Sequence, residues 1–90
     1  GIPITVEGGL RYTVPCTVDP ERMNDKIKIR FRAGNVYKNC FISMYFDDER
    51  ITRRKRPIVA PGEMEEMVLD KAKLAEYGDV KAIRIVLEQE

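Results

Sequence analysis

The chain has 90 residues, the length of a single domain. Its hydrophobic fraction of 43% and charged fraction of 34% fit a folded globular chain rather than a disordered one. A balance of 16 basic against 15 acidic residues leaves a net charge of +1, which argues against a dedicated nucleic-acid binder, and no apolar run approaches the length of a membrane span.

In chain order, Ile2 to Glu7 is a short extended segment, followed by a turn or bulge at Gly8-Gly9. Leu10 to Val18 alternates, with Leu10, Tyr12, Val14, Cys16 and Val18 expected inward. Pro15 has no N–H to give to a ladder, so this strand is expected at an edge or switching sheets there. Asp19 to Arg22 is turn-like. Lys26 to Asp48 then reads as two long strands joined by a turn at Gly34-Asn35. Ile27, Ile29, Phe31 and Ala33 alternate with Lys26, Lys28, Arg30 and Arg32, and Cys40, Ile42, Met44 and Phe46 continue the inward wall.

Asp47-Asp48-Glu49 suits a hairpin tip, because Asp tolerates turn conformations. Arg50 to Val59 has weak alternation and heavy charge, as expected of an edge strand protected from aggregation. Ala60 to Glu63 is a turn, and Met64 to Leu69 a further strand with Met67 and Leu69 inward. Asp70 to Tyr77 is the one helical-looking piece, capped by Asp70 and inserting Leu74 into the end of the core. Val80 to Leu87 closes the chain, with Ile83, Ile85 and Leu87 inward. About seven strands at this turn spacing predict an all-β fold, an immunoglobulin-like antiparallel β-sandwich, with a small barrel as the alternative.

Histidine is absent, which removes the commonest general base and metal ligand. The one serine, Ser43, therefore has no histidine to activate it. Two cysteines, Cys16 and Cys40, are too few for a structural zinc site; both are expected inward as reduced thiols, with a bridge between facing sheets as the alternative. No glycine-rich phosphate loop precedes a helix. Catalytic, cofactor-binding and metal-ligating residues are thus not expected in this chain.

Two surface features remain. Arg50, Arg53, Arg54, Lys55 and Arg56 form the sharpest charge cluster, either a candidate anion-binding site or edge protection paired with the acidic run Glu63, Glu65 and Glu66. Tyr37, Phe41 and Tyr45 share the parity opposite to the inward wall, a candidate interface for a neighbouring domain. The chain opens at Gly1 with no initiator methionine and no secretion leader. Residues 1–90 are therefore expected to be one domain excised from the C-terminus of a longer chain.

GLRYTVP at Gly9–Pro15, KIKIRFRAGNVYKNCFISMYFDDERI at Lys26–Ile51 and IVAPGEMEEMVL at Ile58–Leu69 carry a resemblance that spans most of the chain. Together they resemble the C-terminal tail domain of bacterial FAD-dependent pyridine nucleotide-disulfide oxidoreductases, grouped with glycerol-3-phosphate dehydrogenase-like and cyanide-synthase-like flavoproteins. The resemblance implies a cytoplasmic, non-catalytic module that packs on upstream domains or another subunit. FAD and NAD(P) would sit in those upstream domains, and no cofactor residue carries over to this segment. Cys16 and Cys40 lack the close spacing of a redox pair, so that role does not carry over either. A free-standing immunoglobulin-like binding module and a small anion- or nucleic-acid-binding barrel are the alternatives.

Overall fold

Period-two alternation in Lys26–Ala33 and Tyr37–Phe46 builds the two strands around which the others are laid. The computed structural model describes residues 1–89. Its strands are β1 (Ile2–Glu7), β2 (Leu10–Val14), β3 (Thr17–Val18), β4 (Lys26–Ala33), β5 (Tyr37–Phe46), β6 (Glu49–Val59), β7 (Glu65–Asp70) and β8 (Ile83–Gln89), with one helix, α1 (Lys71–Glu76). The protein is all-β. Two sheets, ordered β3-β1-β8-β5-β6 and β2-β4-β7, share one core.

Eight strands are present among the described residues where the sequence suggested about seven, because 10–18 is divided between the sheets. β2 pairs with β4 in the three-stranded sheet, while β3 pairs with β1 in the five-stranded one. Pro15 marks the crossing, as its missing donor suggested. One ladder departs from the antiparallel expectation: β1 runs parallel to β8, with Ile4 opposite Ile83 and Val6 opposite Ile85.

The inward sets of β4, β5, β7 and β8 are those the alternation predicts, with Ile29, Phe31, Cys40, Ile42, Leu69, Ile83 and Ile85 fully buried. β2 differs. Its ladder with β4 shifts register between Leu10 and Thr13. The bulge inserts a residue and reverses the faces beyond it. Thr13 is buried and donates from Oγ1 to the Ile4 carbonyl, 3.3 Å away. Tyr12 and Val14, expected inward, are instead exposed by 56% and 59%. Cys16 is also exposed rather than inward, Cys40 is buried as expected, and both are free thiols.

The turn into β2 requires its two glycines. Gly8 and Gly9 have φ of 75° and 102°, and a side chain at Gly9 would strike the Tyr37 ring. α1 follows β7 directly. The Asp70 carboxylate accepts from the Ala72 N–H at 3.0 Å, a cap worth about 1 kcal/mol, and Leu74 enters the core. No helix among the described residues is long and apolar enough to cross a membrane.

Candidate functional site

The basic run lies on β6, an edge strand of the five-stranded sheet, as its charge suggested. Strand alternation divides it between two faces. Arg54 and Arg56 stand opposite Ile42 and Cys40, two inward residues of β5, and so turn toward the other sheet. There they meet β7 across the open edge between the sheets. Arg56 Nη1 donates to Glu65 Oε1. Arg54 lies 3.5 Å from the same oxygen and also donates to the Glu66 carbonyl at 3.0 Å. Arg56 is 3.9 Å from Glu63. The Glu65 side chain is only 2% exposed. A carboxylate held this deep requires its partners, because desolvation alone would cost several kcal/mol. Arg54 and Arg56 thus tie the two sheets together, and the acidic run pairs with the basic one between sheets rather than within one.

Glu66 points to the opposite face, where it pairs with Arg30 at 3.2 Å and Lys28 at 3.9 Å on β4.

Arg53 and Lys55 stand opposite Ser43 and Phe41, on the outer face of the five-stranded sheet, and Arg50 stands opposite Tyr45. The five cations predicted as one anion site therefore do not share a face. The Arg53 guanidinium stacks on Phe41, 3.7 Å from the ring centre. Beside it, Glu88 of β8 accepts from Ser43 Oγ at 2.5 Å and from Tyr45 Oη at 2.6 Å. Arg84 lies over the Tyr45 ring at 4.9 Å and pairs with Glu7 of β1 at 2.6 Å. Phe41, Ser43, Tyr45, Glu88, Arg84 and Glu7 on this outer face thus find partners within the chain.

Titration follows from these contacts. Burial pushes the Glu88 carboxyl up, but the hydrogen bonds from Ser43 and Tyr45 and the charges of Arg53 and Arg50 outweigh it, and the net direction is down. The hydrogen bond from Arg84 holds Glu7 down as well, against a smaller opposing effect of burial. Tyr45 is raised, first by its bond to Glu88 and then by burial. A depressed carboxyl contributes stability that is present above its unfolded-state value and lost as pH falls through its folded-state value. Unfolding free energy should therefore decline below about pH 4.5. Glu88→Gln should flatten that decline while costing about 1 kcal/mol at pH 7. Urea titrations of both proteins at pH 7 and pH 3 measure this, and parallel declines would contradict it.

Of the predicted interface residues, Phe41 and Tyr45 lie on this outer face, each half-buried beneath an arginine of the same chain. Tyr37 does not join them. Asn39 has a φ of 51°, Lys38 and Asn39 are both exposed, and Tyr37 turns to pack against the core.

The hairpin tip also does more than sit in solvent. The Asp47 carboxylate accepts from the Lys81 and Ala82 N–H groups at 3.0–3.2 Å, joining the β5–β6 turn to the start of β8. Residues this distant in sequence leave no local pattern, which is why the contacts of Asp47 and Glu88 escape a strand-by-strand reading, whereas the pairing of the acidic run with the basic one was expected.

No group of three or more His, Cys, Asp or Glu side chains among the described residues is placed to hold a metal. A groove of about 250 Å³, open to solvent, runs between β6 and β7, lined by Thr52, Arg53, Arg54, Met67 and Val68. Burial raises the Cys40 thiol, whose Sγ lies 3.8 Å from the Arg56 carbonyl, and so keeps it protonated. Comparison with family models, with curated proteins and with solved structures finds no match.

Proposed function

We propose that this chain is a non-catalytic, immunoglobulin-like β-sandwich module that acts by docking, in domain packing or subunit assembly. In this reading it is the C-terminal module of a larger cytoplasmic FAD- and NAD(P)-dependent oxidoreductase, whose cofactors belong to the preceding domains. One observation carries the docking part. The buried polar side chains are committed to the fold: Thr13 to the β1 backbone, Ser43 to Glu88, and Glu65 to Arg56 and Arg54. Among the described residues no buried side-chain donor or acceptor is left unpaired for a substrate. What the molecule offers is surface. Free rather than bridged cysteines are in keeping with a reducing compartment. The flavoenzyme assignment rests on the resemblance of the three sequence segments described above.

The test is to express the 90 residues alone and assay for bound flavin and NAD(P)H oxidation. A colourless, folded, inactive protein is expected. Yellow protein that oxidises NAD(P)H would overturn the reading.

A further inference from the structure

The two sheets present very different outer faces. On that of the five-stranded sheet the aromatics and carboxylates are taken up within the chain, with Phe41 under Arg53, Tyr45 under Arg84, and Glu88 and Glu7 held by their partners. That of the three-stranded sheet is satisfied only in part: Lys28 and Arg30 share the single carboxylate of Glu66, and Arg32 donates to the Pro61 and Gly62 carbonyls without charge neutralisation. Its central strand, β4, turns Lys26, Lys28, Arg30 and Arg32 outward, against two carboxylates, Glu66 and Asp70, on β7. Asp70 is already occupied in capping α1. Between these cations stand three exposed apolar side chains: Tyr12 and Val14, turned out by the β2 bulge, and Val68, which is 47% exposed. The ladder places Val14 beside Arg30 and Val68 beside Lys28. Val68 also lines the groove between β6 and β7, so the apolar surface continues over the sheet edge into a concavity.

We propose that the outer face of β2-β4-β7 is the docking surface, and that its occupant is an acidic protein surface carrying apolar side chains. Charge complementarity names the acidic part, because a row of four cations on one strand repels a like surface and steers an anionic one. The exposed valines name the apolar part. They give nothing to a phosphate backbone or a stacked base, whereas a partner's apolar side chains bury them. The bulge in β2 acquires a role in this account: by reversing the strand's faces it delivers Tyr12 and Val14 to the surface beside the β4 cations. The inference rests on the docking reading above and names its face.

The experiment is ¹⁵N–¹H shift mapping of the 90-residue chain with three probes: a poly(Glu,Tyr) copolymer, poly-Glu, and single-stranded DNA. Shifts confined to Tyr12, Val14, Lys28, Arg30, Val68 and their neighbours are expected with poly(Glu,Tyr), which should bind more tightly than poly-Glu. Val14→Ser with Val68→Ser, and separately Lys28→Glu, should each weaken copolymer binding by about tenfold or more while the spectrum stays dispersed. All three positions are exposed, so these variants are expected to fold. Shifts centred instead on Arg50, Arg53 and Lys55, equal binding of poly-Glu and the copolymer, or tighter binding of DNA on the β4 face would each overturn the proposal. A flavin-loaded, active chain would remove the module reading and leave this mapping intact. Overturned mapping would remove the face and leave the module reading standing.

Discussion

Phe31→Ala is expected to cost about 3–5 kcal/mol of unfolding free energy. Phe31 is fully buried on β4, the middle strand of its sheet, with Thr13 on one side and Glu65 on the other. Truncation removes the apolar area of the ring and leaves a cavity in a core that interdigitates side chains from both sheets. A domain of this size holds about 5–15 kcal/mol in total, so the variant should lose a large fraction of its stability and unfold at a much lower urea concentration. Ile29→Ala, two residues earlier on the same face, should cost about 2–5 kcal/mol. Lys28→Ala, on the outer face just before Ile29, should stay within about 0.5 kcal/mol. Urea midpoints of the three variants make the comparison. A loss below about 0.5 kcal/mol at both core positions would refute the inward assignment.

Much of the fold is written locally. The alternation of Ile27, Ile29, Phe31 and Ala33, and of Ile83, Ile85 and Leu87, reports burial on one face of a strand whatever its neighbours are, and the structure places these sets inward. Pro15 at the sheet crossing, the charged edge strand β6 and the cap at Asp70 are legible for the same reason: each depends on one residue's own chemistry. Three reversals are not legible, one of them the register shift of the β5–β6 ladder between Met44 and Tyr45, which turns Arg50 to the face opposite Arg54 and Arg56. The bulge between Leu10 and Thr13 and the left-handed Asn39 also each break the period-two rule once, and a pattern reading carries the wrong face across the break. Tyr12, Val14 and Tyr37 were expected on the wrong side on that account, and Cys16 because it lies in the crossing between β2 and β3 rather than on a strand.

Pairing over long sequence distances is the other illegible class. Nothing local announces that β1 lies parallel to β8, or that Glu88 gathers Ser43 and Tyr45 from 43–45 residues away. The Arg56–Glu65 tie sits between these cases. Glu65 shares the parity of Met67 and Leu69, and Arg54 and Arg56 share the parity of each other. The sequence thus held a buried acid and two cations of matching alternation, but not the fact that their strands face each other from different sheets.

That tie carries the second large effect. Arg56→Met should cost about 3 kcal/mol, the low end for breaking a buried pair, because Arg54 remains 3.5 Å from the same carboxylate. The loss arises mainly from Glu65, whose side chain stays enclosed with one cation fewer. Glu65→Leu alone leaves two arginines facing an apolar residue, but these retain access to solvent and cost less. Combining Arg56→Met with Glu65→Leu should recover part of the loss, since well-packed apolar replacements of buried ion pairs are often neutral or better. Added salt should change the balance little, because the carboxylate is shielded from mobile ions.

A surface anion site would behave in the opposite way, with small stability effects at every arginine and a strong dependence on salt. The double-mutant cycle on Arg56 and Glu65, read by urea denaturation at low and high salt, therefore tests most directly whether strand alternation divides the basic run between fold and surface. A coupling of about 1.5–3 kcal/mol that persists in high salt is the expected result. A coupling below about 0.5 kcal/mol, or one abolished by salt, would contradict it.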